Sequence, residues 1–260
     1  MPDPSAPPGI NSRGSGRAVL LIHGTGTDST AFERPAARLA GAMRVLTYDR
    51  TGWREAEADG DHLRTSIAEQ AIEAAGLLRR LEPAPAGPVT VLGVGFGAVV
   101  ALELALAEPG MVARAILVEP PLFGLLTEAT AGVSSDTEAI RAAIEQGGET
   151  AAYELYLSGR LPTLGAGAER LGQTADRRPA AARSFLVELP AVPAWTIDPA
   201  RLAAITPAVT VATLPNSPPI LADAADALLP RIPRAERLVT SSGEIDGSIV
   251  ELVEAELEPE

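Results

Sequence analysis

The chain has 260 residues and a formal net charge of −13, from 21 basic and 34 acidic side chains. A chain of this length can form one large domain with a sizeable core, and its acidic balance argues against binding a nucleic-acid backbone. It contains no cysteine and no lysine, which excludes thiol catalysis, disulfides, thiolate metal sites, Schiff-base chemistry and a P-loop lysine.

The N-terminal segment 1–16 is rich in proline, glycine and serine and has neither the basic start nor the apolar centre of a signal peptide. Apolar stretches elsewhere are far shorter than the roughly 18 residues of a membrane span. We therefore expect segment 1–16 to be a disordered leader and the protein to be cytoplasmic, with no membrane and no nucleic-acid partner.

Short apolar runs alternate with longer amphipathic segments along the rest of the chain. Unbroken apolar runs are typical of strands buried on both faces of a parallel sheet. The runs lie at 18–22, 43–48, 88–93, 113–119, 208–214 and 236–240, and the helical patterns at 29–40, 63–81, 96–107, 219–229 and 248–257. This alternation predicts an α/β fold with a mostly parallel, doubly wound sheet of about six strands.

The alternation breaks over 123–205, where the pattern is helical with joints rich in glycine and proline. We interpret this stretch as an inserted helical cap, with 17–122 and 206–257 forming the core. Ligands of open α/β sheets bind beyond the carboxyl ends of the strands. A cap at that edge would enclose a pocket for a small-molecule substrate or ligand.

Motifs stand at the ends of four successive predicted strands. They read HGTG at 23–26, YDRTG at 48–52, GVGFG at 93–97 and EPP at 119–121. In this order and spacing, over nearly the whole chain, the sequence resembles the α/β-hydrolase superfamily, specifically small bacterial members with a helical cap. The resemblance implies the α/β-hydrolase fold.

The resemblance also implies a Ser–acid–His triad, but other residues stand at its positions here. Gly95 lies at the centre of the nucleophile elbow, where the family pattern is Gly-x-Ser-x-Gly, and Asn216 lies at the acid position. The histidine position falls on Asp246 in a gapless alignment and on Glu244 with a slight gap. Since a serine hydrolase without its triad retains only about 10³–10⁴-fold catalysis, we do not expect a conventional serine hydrolase.

The sequence contains two histidines, His23 and His62. The resemblance implies that His23, within the HG motif, shapes the oxyanion loop, although a direct role with a ligand is an alternative. His62 lies in a polar stretch before a helical pattern and is typical of a solvated loop residue. Neither is placed to replace the missing base.

Carboxylates are the remaining candidates for acid–base chemistry. Glu119 ends an apolar run at the crevice side of the predicted sheet, where a carboxyl group is suited to act as a general acid or base. It could instead hold only the backbone amides of adjacent loops. Asp246 or Glu244 could supply a second carboxylate opposite Glu119, or could belong to a solvated acidic loop.

Other residues are candidates for the pocket wall. In the family, backbone N–H groups of the HG loop and of the residue after the nucleophile form an oxyanion hole; the corresponding residues are Thr25 and Phe96, beside Gly24 and Gly95. Aromatic side chains are only 3% of the chain, and four of them could line an apolar pocket or pack in the core or lid: Trp53, Tyr153, Tyr156 and Trp195.

These observations favour a diverged, non-hydrolytic lyase, cyclase or isomerase that acts on a small apolar organic molecule resembling a secondary metabolite. We expect no cofactor, because GVGFGA at 93–98 lacks the dinucleotide-binding spacing, and we find no metal cluster in the sequence. One alternative is a non-catalytic, small-molecule-binding pseudohydrolase. The other is a hydrolase with relocated residues, such as Ser217, Ser241 or Ser242 as nucleophile.

Overall fold

In the computed structural model, the described residues form one sheet of seven strands in the order β1-β3-β2-β4-β5-β6-β7. The structure describes residues 9–51, 53, 65–126, 129–161, 163, 178–196 and 198–257. The strands are β1 (Ile10–Arg13), β2 (Ala18–Ile22), β3 (Arg44–Tyr48), β4 (Val89–Val94), β5 (Val112–Val118), β6 (Ala208–Thr213) and β7 (Ala235–Val239). Strands β2 to β7 are all parallel to one another, which confirms the predicted mostly parallel α/β fold.

Helices cover both faces of this sheet, so the sheet is doubly wound. One face packs against α2 (Ile67–Arg79), α3 (Phe96–Ala107) and α8 (Pro219–Leu228). The other packs against α1 (Glu33–Leu39) and α9 (Ile245–Glu254). Strands buried on both sides require apolar residues at every position, and all six residues of β4 are buried.

Strand β1 corrects the expectation that the whole of 1–16 is a disordered leader. Ile10–Arg13 pairs antiparallel with β3, with Ile10 opposite Tyr48. Ile10 and Ser12 are buried while Asn11 is exposed, so this edge strand has the alternating pattern of an edge rather than a continuous apolar run. Only four residues long and mostly polar, it offers little sequence signal; its pairing comes from the open edge of β3.

The stretch between β5 and β6 contributes helices α4 (Ala129–Leu157), α5 (Arg178–Glu188), α6 (Ala191–Ala194) and α7 (Pro199–Ala203). Helix α4 is interrupted at Gly148, whose φ of 78° and ψ of −173° are not helical. Helices α4 and α5 pack against each other through a cluster that includes Tyr153, Tyr156 and Phe185. We refer to these four helices as the cap. Across the described residues, no helix has both the length and the apolar character needed to cross a bilayer.

Candidate active site

A cavity of about 720 Å³ lies between the cap and the carboxyl ends of the central strands. Most of the residues on its wall are apolar. The core contributes Thr25, Gly95, Phe96 and Glu119, and the cap contributes Tyr156, Phe185, Glu188 and Trp195, among others. A largely apolar cavity of this size with a few convergent polar groups is typical of a small-molecule site.

Gly95 forms the sharp turn from β4 into α3. Its φ of 55° and ψ of −118° are angles that glycine adopts far more readily than residues with a side chain. The turn brings α3 very close to β2, because a Cβ on Gly97 would lie 2.3 Å from the carbonyl oxygen of Ile22. Phe96, the first residue of α3, lines the cavity, so the positive end of the helix dipole lies at the cavity wall.

Glu119 follows β5 directly and lies on the cavity wall with only 3% of its surface exposed. Its φ of 49° lies in the left-handed region, which is a strained conformation for a residue with a side chain. Its N–H donates to the carbonyl of Ala212 over 2.8 Å. The Ser217 hydroxyl donates to Glu119 Oε1 while accepting the N–H of Leu214 over 2.8 Å, so its proton is directed toward the carboxylate.

His23 is fully buried and both of its ring nitrogens are engaged. The N–H of Arg50 donates to His23 Nε2 over 3.1 Å, and His23 Nδ1 lies 3.0 Å from the carbonyl oxygen of Gly24. This geometry assigns the proton to Nδ1 in a neutral ring. His23 and Gly24 stand behind the cavity wall rather than on it, so His23 shapes the loop that carries Thr25.

Arg50 joins this loop to the cap through a buried ion pair. Its Nη1 donates to Glu188 Oε1 over 2.7 Å, and both side chains have 0% exposure. Its Nε and Nη2 donate to the carbonyl oxygens of His23 and Gly24 over 3.0 and 2.9 Å. The guanidinium carbon also lies 4.6 Å from the centre of the Phe96 ring. The position of helix α5 over the cavity is therefore fixed by a charged contact as well as by apolar packing.

The aromatic candidates divide into two groups. Tyr156 and Trp195 lie on the cavity wall, whereas Trp53 and Tyr153 are buried in the cap cluster behind it. The Tyr153 hydroxyl donates to the carbonyl of Gly26 over 3.2 Å, and Trp195 Nε1 donates to Glu103 Oε2 over 3.0 Å. These side chains attach the cap to the core in addition to filling space.

The expectation of a second carboxylate from Glu244 or Asp246 opposite Glu119 is corrected by the structure. Glu244 is exposed at the start of α9, and Asp246 lies 3.7 Å from Arg34 of α1. Neither belongs to the cavity wall. Asn216 is exposed near Gly243, and His62 lies outside the described residues.

Glu188 borders the cavity with its carboxylate buried against Arg50, and it is not among the site residues predicted from the sequence. The available signal was a lone acidic residue within the otherwise apolar segment FLVELPAV at 185–192. Such a residue on a helix is ordinarily a solvated one. Only the tertiary contact with Arg50, 138 positions away in the chain, brings this carboxylate inside.

Comparison with known proteins assigns the chain to a family. The model of the alpha/beta hydrolase family matches residues 19–256, which is nearly the whole chain. The protein belongs to the alpha/beta hydrolase family. This confirms the resemblance and agrees with the topology of the sheet.

Relatives within the family match over part of their length. The uncharacterised hydrolase YraK of Bacillus subtilis is 36% identical over 123 residues, which cover 44% of this chain and 41% of that protein. An uncharacterised protein of Mycobacterium tuberculosis is 36% identical over 105 residues, covering 40% and 29%. The matched stretch thus spans less than half the length of these curated relatives.

Solved structures of the family share the fold over almost the whole chain. An alpha/beta hydrolase from Sphaerobacter thermophilus has a TM-score of 0.72 at 20% identity and covers 96% of this chain and 95% of its own. A hydrolase from Oleispira antarctica has a TM-score of 0.70 at 16% identity, covering 95% and 93%. At these identities the similarity establishes the fold alone.

Proposed function

We propose that this member of the alpha/beta hydrolase family is a non-hydrolytic enzyme. It performs lyase, cyclase or isomerase chemistry on a small, largely apolar organic molecule bound in the cavity, with Glu119 as its acid–base group. The observation that carries the proposal is the placement of Glu119, a buried carboxylate on the wall of a mostly apolar cavity that also includes Gly95.

Several features support a loss of hydrolysis. Gly95 has no side chain at the elbow, and Asn216 and Glu244 or Asp246 stand where the family resemblance places the acid and the base. His23 cannot take over as the base, because its Nε2 already accepts the N–H of Arg50 and its Nδ1 is hydrogen-bonded to the carbonyl oxygen of Gly24. Since no histidine is among the described residues that line the cavity, we assign proton transfer there to a carboxylate.

The backbone of Glu119 supports a functional role for this residue. A side-chain-bearing residue at φ of 49° costs about 1–3 kcal/mol, and such strain concentrates at functional sites. Ser217 and Ala212 hold the residue in this geometry from two sides. The carboxylate is thereby fixed in one orientation before any ligand binds, as preorganised catalysis requires.

The test is Kemp elimination of 5-nitrobenzisoxazole, a probe for a carboxylate base in an apolar site. The base removes the proton on the ring carbon, a nitrile forms, the N–O bond breaks and the electron pair leaves on oxygen as a coloured phenolate. We expect enzyme-dependent elimination that falls at least about 100-fold in Glu119→Gln, the range typical of general-base catalysis.

Glu154→Gln is the matched control, because Glu154 is an exposed cap residue paired with Arg178. It should eliminate at the wild-type rate. Equal rates in wild type and Glu119→Gln would contradict the proposal and would favour the non-catalytic binding protein.

A hydrolase with a relocated nucleophile is the second candidate, favoured by the hydrogen bond from Ser217 to Glu119. Against it, Ser217 is not among the residues that line the cavity. Labelling with a fluorophosphonate probe, followed by peptide mapping, separates the two candidates. Stoichiometric label on Ser217 that disappears in Ser217→Ala would establish the relocated hydrolase, and the absence of label supports the non-hydrolytic enzyme.

A further inference from the structure

We infer that the cavity selects a ligand with a planar aromatic ring and that Trp195 is the residue that determines this selectivity. The inference rests on the proposed function only in taking this cavity as the ligand site. It adds the substrate class: a small molecule whose apolar body contains an aromatic ring.

The aromatic side chains of this protein are concentrated at the cavity. The sequence has four Phe, three Tyr and two Trp, and all nine lie within the part of the chain that the structure describes. An apolar wall does not require them, because hydrophobic residues make up 46% of the chain and aromatic ones only 3%. Five of the nine nevertheless line this one cavity: Phe96, Phe123, Tyr156, Phe185 and Trp195.

The aromatic rings reach the cavity from separate apolar clusters. Tyr156 and Phe185 belong to the cap cluster, where their rings stack with centroids 4.6 Å apart. Phe123 packs in a cluster with Leu221, and Trp195 packs against the main core cluster. Phe123 and Tyr156 keep 9% and 8% of their surface exposed, and Trp195 is half-buried. A molecule in the cavity therefore meets accessible aromatic surface from three clusters.

Trp195 is held in one orientation before any ligand binds. Its Nε1 donates to Glu103 Oε2 over 3.0 Å, and its backbone N–H donates to the carbonyls of Ala191 and Val192 over 3.1 Å each. The Glu103 side chain is only 8% exposed, and its Oε1 accepts from Arg201 over 2.9 Å. Because the indole is bound at its N–H edge as well as through its backbone, its plane has little freedom to turn. A ring that is already ordered loses little conformational entropy when a ligand packs against it, so Glu103 acts as a positioning residue.

The indole of Trp195 favours an aromatic ligand over a saturated one. Aromatic rings have negative faces and positive edges, so two rings attract each other in offset-stacked or edge-to-face geometry by more than the area they bury. A saturated ring of the same carbon number buries apolar area without this attraction. The half-buried indole on the cavity wall can therefore distinguish the two.

The experiment compares 4-phenylbutan-1-ol with 4-cyclohexylbutan-1-ol, which share the chain and the hydroxyl and differ in the aromaticity of the ring. Isothermal titration calorimetry gives the Kd of each, and the aromatic preference is the Kd of the cyclohexyl compound divided by that of the phenyl compound. We expect a preference of about fivefold in wild type, the size of one or two aromatic contacts beyond area burial. In Trp195→Leu it should fall to about one or below, because transfer from water alone does not favour the phenyl ring.

Phe32→Leu is the matched control, since Phe32 is a buried aromatic residue that packs in the cluster with α1 and α9 and is not among the residues that line the cavity. It should keep the wild-type preference. Glu103→Gln should also keep it, because the amide oxygen still accepts the indole N–H, whereas Glu103→Leu should lower it. A ratio of two Kd values is used because a general loosening of the cavity weakens both compounds alike.

Equal Kd values for the two compounds in wild type would overturn the inference, even if Trp195→Leu fails to fold. A wild-type preference that persists in Trp195→Leu would also overturn it, because another ring would then be the determinant. These outcomes are separate from the elimination assay. Elimination that depends on Glu119 without an aromatic preference leaves the proposed function standing and removes only the selectivity, and an aromatic preference without elimination does the reverse.

Discussion

Replacing Glu188 by alanine removes one half of the buried ion pair that joins the cap to the core. Arg50 then keeps its charge inside the protein, with Nη1 deprived of the acceptor that now lies 2.7 Å away. Its bonds to the carbonyls of His23 and Gly24 remain. These dipoles offset only part of the cost of a buried guanidinium, so the variant should be strongly destabilised.

The expected loss is about 3–5 kcal/mol of unfolding free energy, the range for breaking a buried pair from one side. This is a large share of the roughly 5–15 kcal/mol that stabilises a typical domain. Replacing both partners, as Arg50→Met with Glu188→Leu, should cost less than the sum of the two single substitutions, because no charge is then left unpaired.

Equilibrium urea denaturation followed by circular dichroism measures these free energies. The exposed cap pair Arg178–Glu154, with side chains 39% and 56% exposed, is the internal reference. Glu154→Ala should cost at most about 1 kcal/mol, as exposed pairs do. A loss of that small size for Glu188→Ala would refute the argument that the Arg50–Glu188 pair is buried and links the cap to the core.

Two further predictions concern Gly97 at the elbow and the carboxyl group of Glu256. Gly97→Ala places a Cβ 2.3 Å from a backbone carbonyl and should cost about 1–3 kcal/mol or more, whereas Gly87→Ala, with nothing within 4 Å, should be close to neutral by thermal unfolding. Burial, opposed in part by Arg114, raises the pKa of Glu256 above its ordinary value. Its charged form is therefore disfavoured in the folded state, and wild-type stability falls as pH rises from the unfolded value through the raised one. Glu256→Gln lacks this decrease, so urea denaturation should show its stability relative to wild type rising as the pH increases from below the ordinary pKa of a glutamate to above the raised one; a pH-independent difference would contradict the assignment.

The sequence alone determined the parallel strands β2 to β7 and the elbow. Continuous apolar runs such as Val89–Val94 predict parallel strands because both faces of the sheet are covered, and the helix predicted over 96–107 coincides with α3 (Phe96–Ala107). These features are local in the chain: a buried strand needs apolar side chains at consecutive positions, and a tight turn needs glycine at its own position. The family's motifs are local in the same sense, because each stands directly at the end of a predicted strand.

Only the tertiary structure decided which polar residues share the cavity. Glu119 was predicted from its place at the end of β5. Glu188 and Arg50 meet across 138 positions of sequence, whereas Glu244 and Asp246 are not among the residues that line the cavity. The sequence does not show whether water or a buried guanidinium surrounds a given carboxylate. The chemistry of this site depends on that difference in surroundings, which arises only when the cap packs onto the core.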